Sequence, residues 1–450
     1  MTPVTPAEPR REDLEARRHL HKSAACTYSR RLPITLADGE GVHVRDTAGR
    51  TYLDCLSGAG ALALGHRHPV VLTALRAALD AGVPLTTLDL DTPLRDAFIE
   101  TLFGVLPASL RGGRIHFCGP TGADAVEAAV KLARIATGRS GAIAFGGAYH
   151  GMTQATLALS GAHAPKAPMG ALSTDVQHLP FPTSYRCPFG AGGERGAELC
   201  GRALRWALTD THSGILPPAV ILVEPVQGEG GVHPAPATFA VAVREAARDS
   251  GSVLVADEVQ TGLGRTGSLW ASDDIGLDPD VLVLSKAIGG GQPLAVIVYR
   301  AELDVWEPGA HAGTFRGNAL GLAAGAATIR YIVEYGLAEH ASTMGERLRT
   351  ALRGQCEGLA VVADVRGRGL MVGVELVNPQ CLDRDGVPQP DGALATRVQR
   401  EMLDLGVIVE IGGRDQGVVR FLPALIVQAQ HVDLIARAFG RAVLSASKAS

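Results

Sequence analysis

Two residues stand where apolar runs stop. Asp257 closes Ser252-Val-Leu-Val-Ala, and Lys286 follows Asp280-Val-Leu-Val-Leu-Ser. A lysine just past a buried strand is partly desolvated, which lowers its pKa and leaves a free amine that can attack a carbonyl. Two more runs end in glycine turns: 114–118 runs into Gly119-Pro120-Thr121-Gly122-Ala123, and 141–145 into Gly146-Gly147-Ala148-Tyr149-His150. Ligands of open parallel sheets bind beyond the C-terminal strand ends, so these four endings are expected to converge on one place. The turn at Thr121 leads into an amphipathic stretch, which puts a helix N-terminus, with its free N–H groups and positive dipole end, where a phosphate could sit. It is neither a Walker loop nor GxGxxG, so a nucleotide is not indicated.

Each pattern alone also has a structural reading. Thr121 with Asp124 three residues on resembles a capping box, and a lysine and an aspartate can simply form an ion pair. A pyridoxal cofactor would use them together, because it needs a Schiff-base lysine and a carboxylate that keeps its ring nitrogen protonated. His66 and His68 have H-x-H spacing, but no acidic or cysteine partner lies nearby in sequence. They read as turn residues, and no metal is expected. Gly58-Ala59-Gly60 lacks a following dinucleotide fingerprint and reads as an active-site loop.

The elements that must position these residues follow from periodicity. Strands are expected at 114–118, 141–145, 219–224, 252–257 and 280–285, several of them apolar without alternation, as parallel strands buried on both faces are. Their alternation with amphipathic helices predicts an α/β fold with a mainly parallel sheet. A hairpin is expected across 41–56, a helix from Val70, a long loop insertion over 163–195 and a second hairpin within 361–377. The polar, Pro-rich start reads as a mobile arm with a short helix around Glu12–His19. The domains expected are 1–70 (arm and small strands, part of the small domain), 71–330 (large) and 331–450 (small, α+β).

With 450 residues, 46% hydrophobic and 20% charged, the chain is an ordinary globular protein with a large core. The aromatic share of 4% leaves the packing mostly to Ala, Val, Leu and Gly. A net charge of −4 with scattered basic residues gives no footprint for nucleic acid or an anionic membrane. Seven cysteines without a CxxC pair read as reduced thiols, and the start lacks a signal peptide's apolar stretch. A soluble, cytoplasmic protein is expected.

Asp257-Glu258-Val259-Gln260-Thr261-Gly262, a strand and Ser285-Lys286 together resemble the signature of class III (ω-amino acid) aminotransferases of PLP fold type I. The likeness runs from about residue 30 to 440. It takes in GHRHP (65–69), PTGADAVEAAVKLAR (120–134), YHG (149–151), EPVQGEGG (224–231), GTFRGNALG (313–321) and the strand around Arg420. It implies pyridoxal 5'-phosphate held by Lys286, with Lys286, Asp257 and Tyr149 catalytic. Asp257 would pair with the ring nitrogen, Tyr149 would stack on the ring, and Gln260 would bond its phenolic oxygen. Thr121, Gly122 and Ala123 would hold the phosphate, and His150 would orient its neighbours. Thr314 would reach the same phosphate from the other subunit of a homodimer or larger assembly.

The likeness also implies two small-molecule substrates, an amino donor and a 2-oxo acid, that share one pocket in a ping-pong reaction. Arg420 would bind the α-carboxylate of glutamate, and Glu229 would neutralise it when the ω-amine enters. Family members that act on GABA or ornithine carry an arginine after YHG for the far carboxylate; here Met152 occupies that place. The segments GPTGADAVEAAVKLAR, AYHGMT and LPFPTSYRCPFG resemble instead the members that interconvert L-2,4-diaminobutyrate plus 2-oxoglutarate with L-aspartate 4-semialdehyde plus glutamate. The alternatives are another ω-aminotransferase taking acetylornithine, lysine or a diamine, and more remotely a mutase, a decarboxylase or a non-catalytic PLP-binding regulator.

Overall fold

The computed structural model describes residues 21–170, 172 and 175–448. The expected mobile arm and the helix around Glu12–His19 lie outside the described residues. A seven-stranded sheet forms the centre, in the order Arg114–Phe117, Val296–Tyr299, Val281–Leu284, Val253–Asp257, Val220–Val223, Ala142–Phe145, Val176–Leu179. Val296–Tyr299 runs antiparallel to both neighbours, and the other pairings are parallel. All five expected strands are therefore present, and their C-terminal ends face the same way.

The unbroken apolar runs are explained by two cores, one on each face of the sheet. Leu254, Leu282, Val296 and Val298 join Phe239, Val243, Leu322 and Ile329 on one side. Val253, Val255, Val281, Val283 and Ile297 meet Ala125, Ala128, Ala129 and Leu132 on the other. Those small residues come from the helix Gly122–Thr137, which lies close against the strands and so has its N-terminus at the sheet edge.

Segment 163–195 is not all loop. It contains the edge strand Val176–Leu179, paired parallel with Ala142–Phe145, and the start of the helix Gly193–Thr209. An edge strand with one half-open face keeps polar Gln177 and His178, so no apolar run marks it. Val296–Tyr299 was also not foreseen; it follows directly on the Gly289–Pro293 turn.

Leu36–Glu40, His43–Asp46 and Thr51–Asp54 form the first hairpin region, to which Val407–Ile408 adds a parallel fourth strand. Val362–Arg368 and Met371–Leu382 form the second hairpin, extended by Val418–Phe421 and Glu410–Gly412. His68 caps the helix Pro69–Asp80, one residue earlier than expected, and His66 Nε2 lies 2.7 Å from Asp54 Oδ2, an acidic partner distant in sequence. All seven cysteines are free. Among the described residues no helix is long and apolar enough to cross a membrane.

Candidate active site

A cavity of about 490 Å³ opens at the C-terminal ends of the parallel strands. Thr121, Gly122, Ala123, Tyr149, His150, Glu229, Asp257, Gln260 and Lys286 line it, with Met152 and Glu224. Lys286 follows Val281–Leu284 by one residue and has a left-handed backbone, φ +49°. A non-glycine residue held there is strained, so the packing around it must fix the position. Burial brings the amine below the usual lysine range, and Arg420 pushes it the same way; Glu229, Asp257 and Glu410 oppose.

Asp257, 5% exposed, ends its strand pointing into this cavity. Its Oδ1 accepts from the Val259 N–H at 3.1 Å, and its Oδ2 lies 2.8 Å from His150 Nδ1. The other ring nitrogen of His150 is buried without a hydrogen-bond partner among the described residues. Thr121 caps the helix Gly122–Thr137, its hydroxyl accepting from the Asp124 N–H at 3.2 Å, so the capping role and a place on the cavity wall coexist. Gln260 Nε2 donates to the Ala59 carbonyl at 3.0 Å, which brings the loop Gly58–Gly60 to the site. Tyr149 is 38% exposed.

Arg420 is fully buried and donates through Nη2 to Glu229 at 2.7 Å and also to Glu410. Burial would raise the Glu229 carboxyl, but the guanidinium beside it holds it below the usual range. Thr314 is exposed and outside the cavity lining of this chain.

Two acidic residues escaped the sequence reading. Glu224 accepts the Tyr149 N–H at 2.9 Å and the Gly228 N–H at 3.0 Å, clasping two cavity loops. Burial pushes its carboxyl up to about 7, His150 and the two N–H groups pulling it down and Asp257 pushing it up. Its signal was its place at the end of the run 219–224. Glu410 faces Arg420 across an antiparallel strand pair, and nothing short of the register discloses that.

A strand-end lysine with a lowered pKa, a buried carboxylate and a helix N-terminus share one cavity with the aromatic ring of Tyr149. The family model for class III aminotransferases matches residues 25–443. The chain belongs to the class III aminotransferase family. It is similar to the diaminobutyrate–2-oxoglutarate aminotransferase of Rhizobium meliloti (strain 1021), 49% identical over 95% of this chain and 91% of that protein. The protein of the same name from Haemophilus influenzae is 42% identical over 100% of this chain and 99% of its own length. Among solved structures, a PLP-bound amine transaminase from an uncultivated Pseudomonas species superposes with a TM-score of 0.85. It is 29% identical and covers 95% of this chain and 98% of that one. This class III aminotransferase thus has the fold type I architecture, and its cofactor is pyridoxal phosphate.

The residues present fit that cofactor. The helix start at Thr121–Ala123 suits its phosphate, and Asp257 suits a cationic ring nitrogen. Glycine at 122 lets the helix start pack close to the loop after Asp257, since a Cβ there would stand 3.0 Å from Val259 Cγ1.

Proposed function

We propose that this aminotransferase moves the 4-amino group of L-2,4-diaminobutyrate to 2-oxoglutarate, giving L-aspartate 4-semialdehyde and L-glutamate. The observation that carries the reading is the likeness, over nearly the whole chain, to two relatives named for that reaction. Met152 on the cavity wall, where GABA and ornithine enzymes place an arginine, agrees with it.

When bound, the cofactor supplies a carbonyl for amines and a ring that withdraws electrons from the reacting carbon. Lys286 would hold the cofactor, and its free Nζ would take the proton from the carbon bearing the donor amine and give it up again as a general acid. Asp257 would keep the ring nitrogen protonated, and His150 Nδ1, 2.8 Å from its Oδ2, holds Asp257 in place. Thr121, Gly122 and Ala123 would hold the phosphate, Gln260 the phenolic oxygen, and Tyr149 would cover the ring. Arg420 takes the carboxylate of glutamate or 2-oxoglutarate when Glu229 releases it. The working unit is a homodimer or larger, in which Thr314 of one subunit would reach the phosphate held by the next.

An amine-donor screen with 2-oxoglutarate as acceptor tests the substrate. Turnover is expected to be greatest with L-2,4-diaminobutyrate and to depend on the added oxo acid. Robust turnover of acetylornithine, lysine or putrescine with none of diaminobutyrate would reject the reading.

A further inference from the structure

The segment that carries Thr314 has little backbone bonding to hold it. Among the described residues the amides of residues 311–318 donate to no backbone carbonyl, and Ala312, Gly313, Thr314 and Phe315 are exposed. An exposed stretch without such bonds opens easily unless side chains fix it. Here the strand–turn–helix at 114–137 supplies an anchor on each side of the exposed run.

Before the run, the helix Gly122–Thr137 takes hold twice. Lys131 Nζ donates to the Ala310 carbonyl at 3.1 Å, and Asp124 Oδ2 lies 3.1 Å from His311 Nε2. Positions 124 and 131 are seven apart and so share one face of the helix. A carboxylate can only accept, so His311 carries a proton on Nε2. That hydrogen bond holds the Asp124 carboxyl below the usual range, against the opposing effect of burial. The same Oδ2 accepts the Gly119 N–H, which ties the turn in front of Thr121 to the same point.

After the run, Arg316, 7% exposed, donates through Nη1 to His116 Nε2 at 2.9 Å, on the strand Arg114–Phe117. A guanidinium has no acceptor to offer, so His116 accepts as the neutral imidazole. Burial lowers its pKa to about 4, with Arg316 and His311 pushing the same way. Gly313 leaves room for this arrangement, since a Cβ there would stand 2.7 Å from Arg316 Nε. Thr314 is thus presented between two anchors, and both belong to the unit that forms this chain's own phosphate turn.

We propose that His311, braced by Asp124, is a positioning residue that sets where Thr314 stands in the neighbouring subunit's site. One helix start would then serve two phosphates, its own directly and the other through the crossing segment. This rests on the reading of Thr314 as a residue that reaches the next subunit.

A hybrid dimer of the holoenzyme tests it. One subunit is intact and the other carries Lys286→Ala, so the lysine-dependent visible absorbance reports the intact subunit's site alone. A second change is placed in the Lys286→Ala subunit, and cofactor loss is followed by absorbance during dialysis. Thr314→Ala there should speed the loss about tenfold, the scale of one hydrogen bond to a charged group. His311→Ala there should speed it about threefold or more, and should act less when moved to the subunit whose site is read. If His311→Ala subunits do not assemble, Asp124→Ala in their place should give the same result. An effect of Thr314→Ala without one of His311→Ala overturns the proposal and keeps Thr314 in its place. So does an effect of His311→Ala confined to its own subunit's site, the mark of a mere support for the glycine turn. An effect of His311→Ala without one of Thr314→Ala removes Thr314 and leaves His311 as the positioner of the crossing segment. No effect of either, or a monomeric holoenzyme, ends both readings.

Discussion

Lys286 combines three conditions that seldom coincide: a left-handed backbone, a buried amine and carboxylates on several sides. Lys286→Ala should abolish the lysine-dependent visible absorbance of the holoenzyme and lower turnover by at least about 10²-fold, the scale of a lost general base. Unchanged absorbance would remove Lys286 from its assigned place. Glu224 predicts a pH dependence. Its folded pKa is raised to about 7 by burial, so its contribution to stability is full below the usual carboxylate range and is lost as pH rises through 7. Glu224→Gln should flatten the fall in melting temperature between about pH 5 and 8; an equally steep fall in the variant would assign the effect to another group. Both residues end apolar runs, yet only the lysine stands out in the sequence, because a carboxylate in the Glu-Pro of 224–225 also reads as the edge of a loop. Glu410 was less visible still, since its meaning comes from a cross-strand neighbour ten residues on.

At the scale of elements, the strand–turn–helix at 114–137 does most to shape the site. Gly151, φ +130°, holds the loop after Tyr149 against the helix start: a Cβ there would stand 2.6 Å from Ala123 Cβ. Gly151→Ala should cost about 1–3 kcal/mol of stability, through strain and overpacking, and should weaken phosphate retention. Both are readable by melting temperature and by the cofactor lost on dialysis; tight retention would show that the helix start does not shift. Thr121→Ala should cost about 1 kcal/mol as a lost N-cap, and Thr121→Ser most of nothing. The parallel strands were legible because burial on both faces imposes unbroken apolar runs. Val176–Leu179 was not, because an edge strand needs no such run. Val296–Tyr299 lay behind a glycine turn that reads as a boundary.

For the whole molecule, the exposed Thr314 and Phe315 make sense in an assembly where another subunit covers them. Sedimentation should give a dimer or larger. A hybrid of Lys286→Ala and Thr314→Glu subunits should regain activity that neither homodimer shows, because one composite site is then intact. Hybrids that form and stay inactive would place Thr314 outside the neighbouring site. Sequence suggests the proposed arrangement only through resemblance, since a residue that would serve another chain leaves no periodicity of its own.

The antiparallel strand also bears on the order in which the molecule is made. Among the described residues, Arg114–Phe117 is hydrogen-bonded in the sheet to Val296–Tyr299 alone. Pairing across so long a stretch of chain is slow, because a large loop must close before any contact rewards it. During synthesis, Arg114–Phe117 therefore lacks that sheet partner until residue 299 has been made, although the helix after it can already pack on the strands at 220–223, 253–257 and 281–284. By then Lys286 has been made, so the strand before the proposed phosphate-binding turn takes its place only after the proposed cofactor lysine exists, late in the life of the nascent chain.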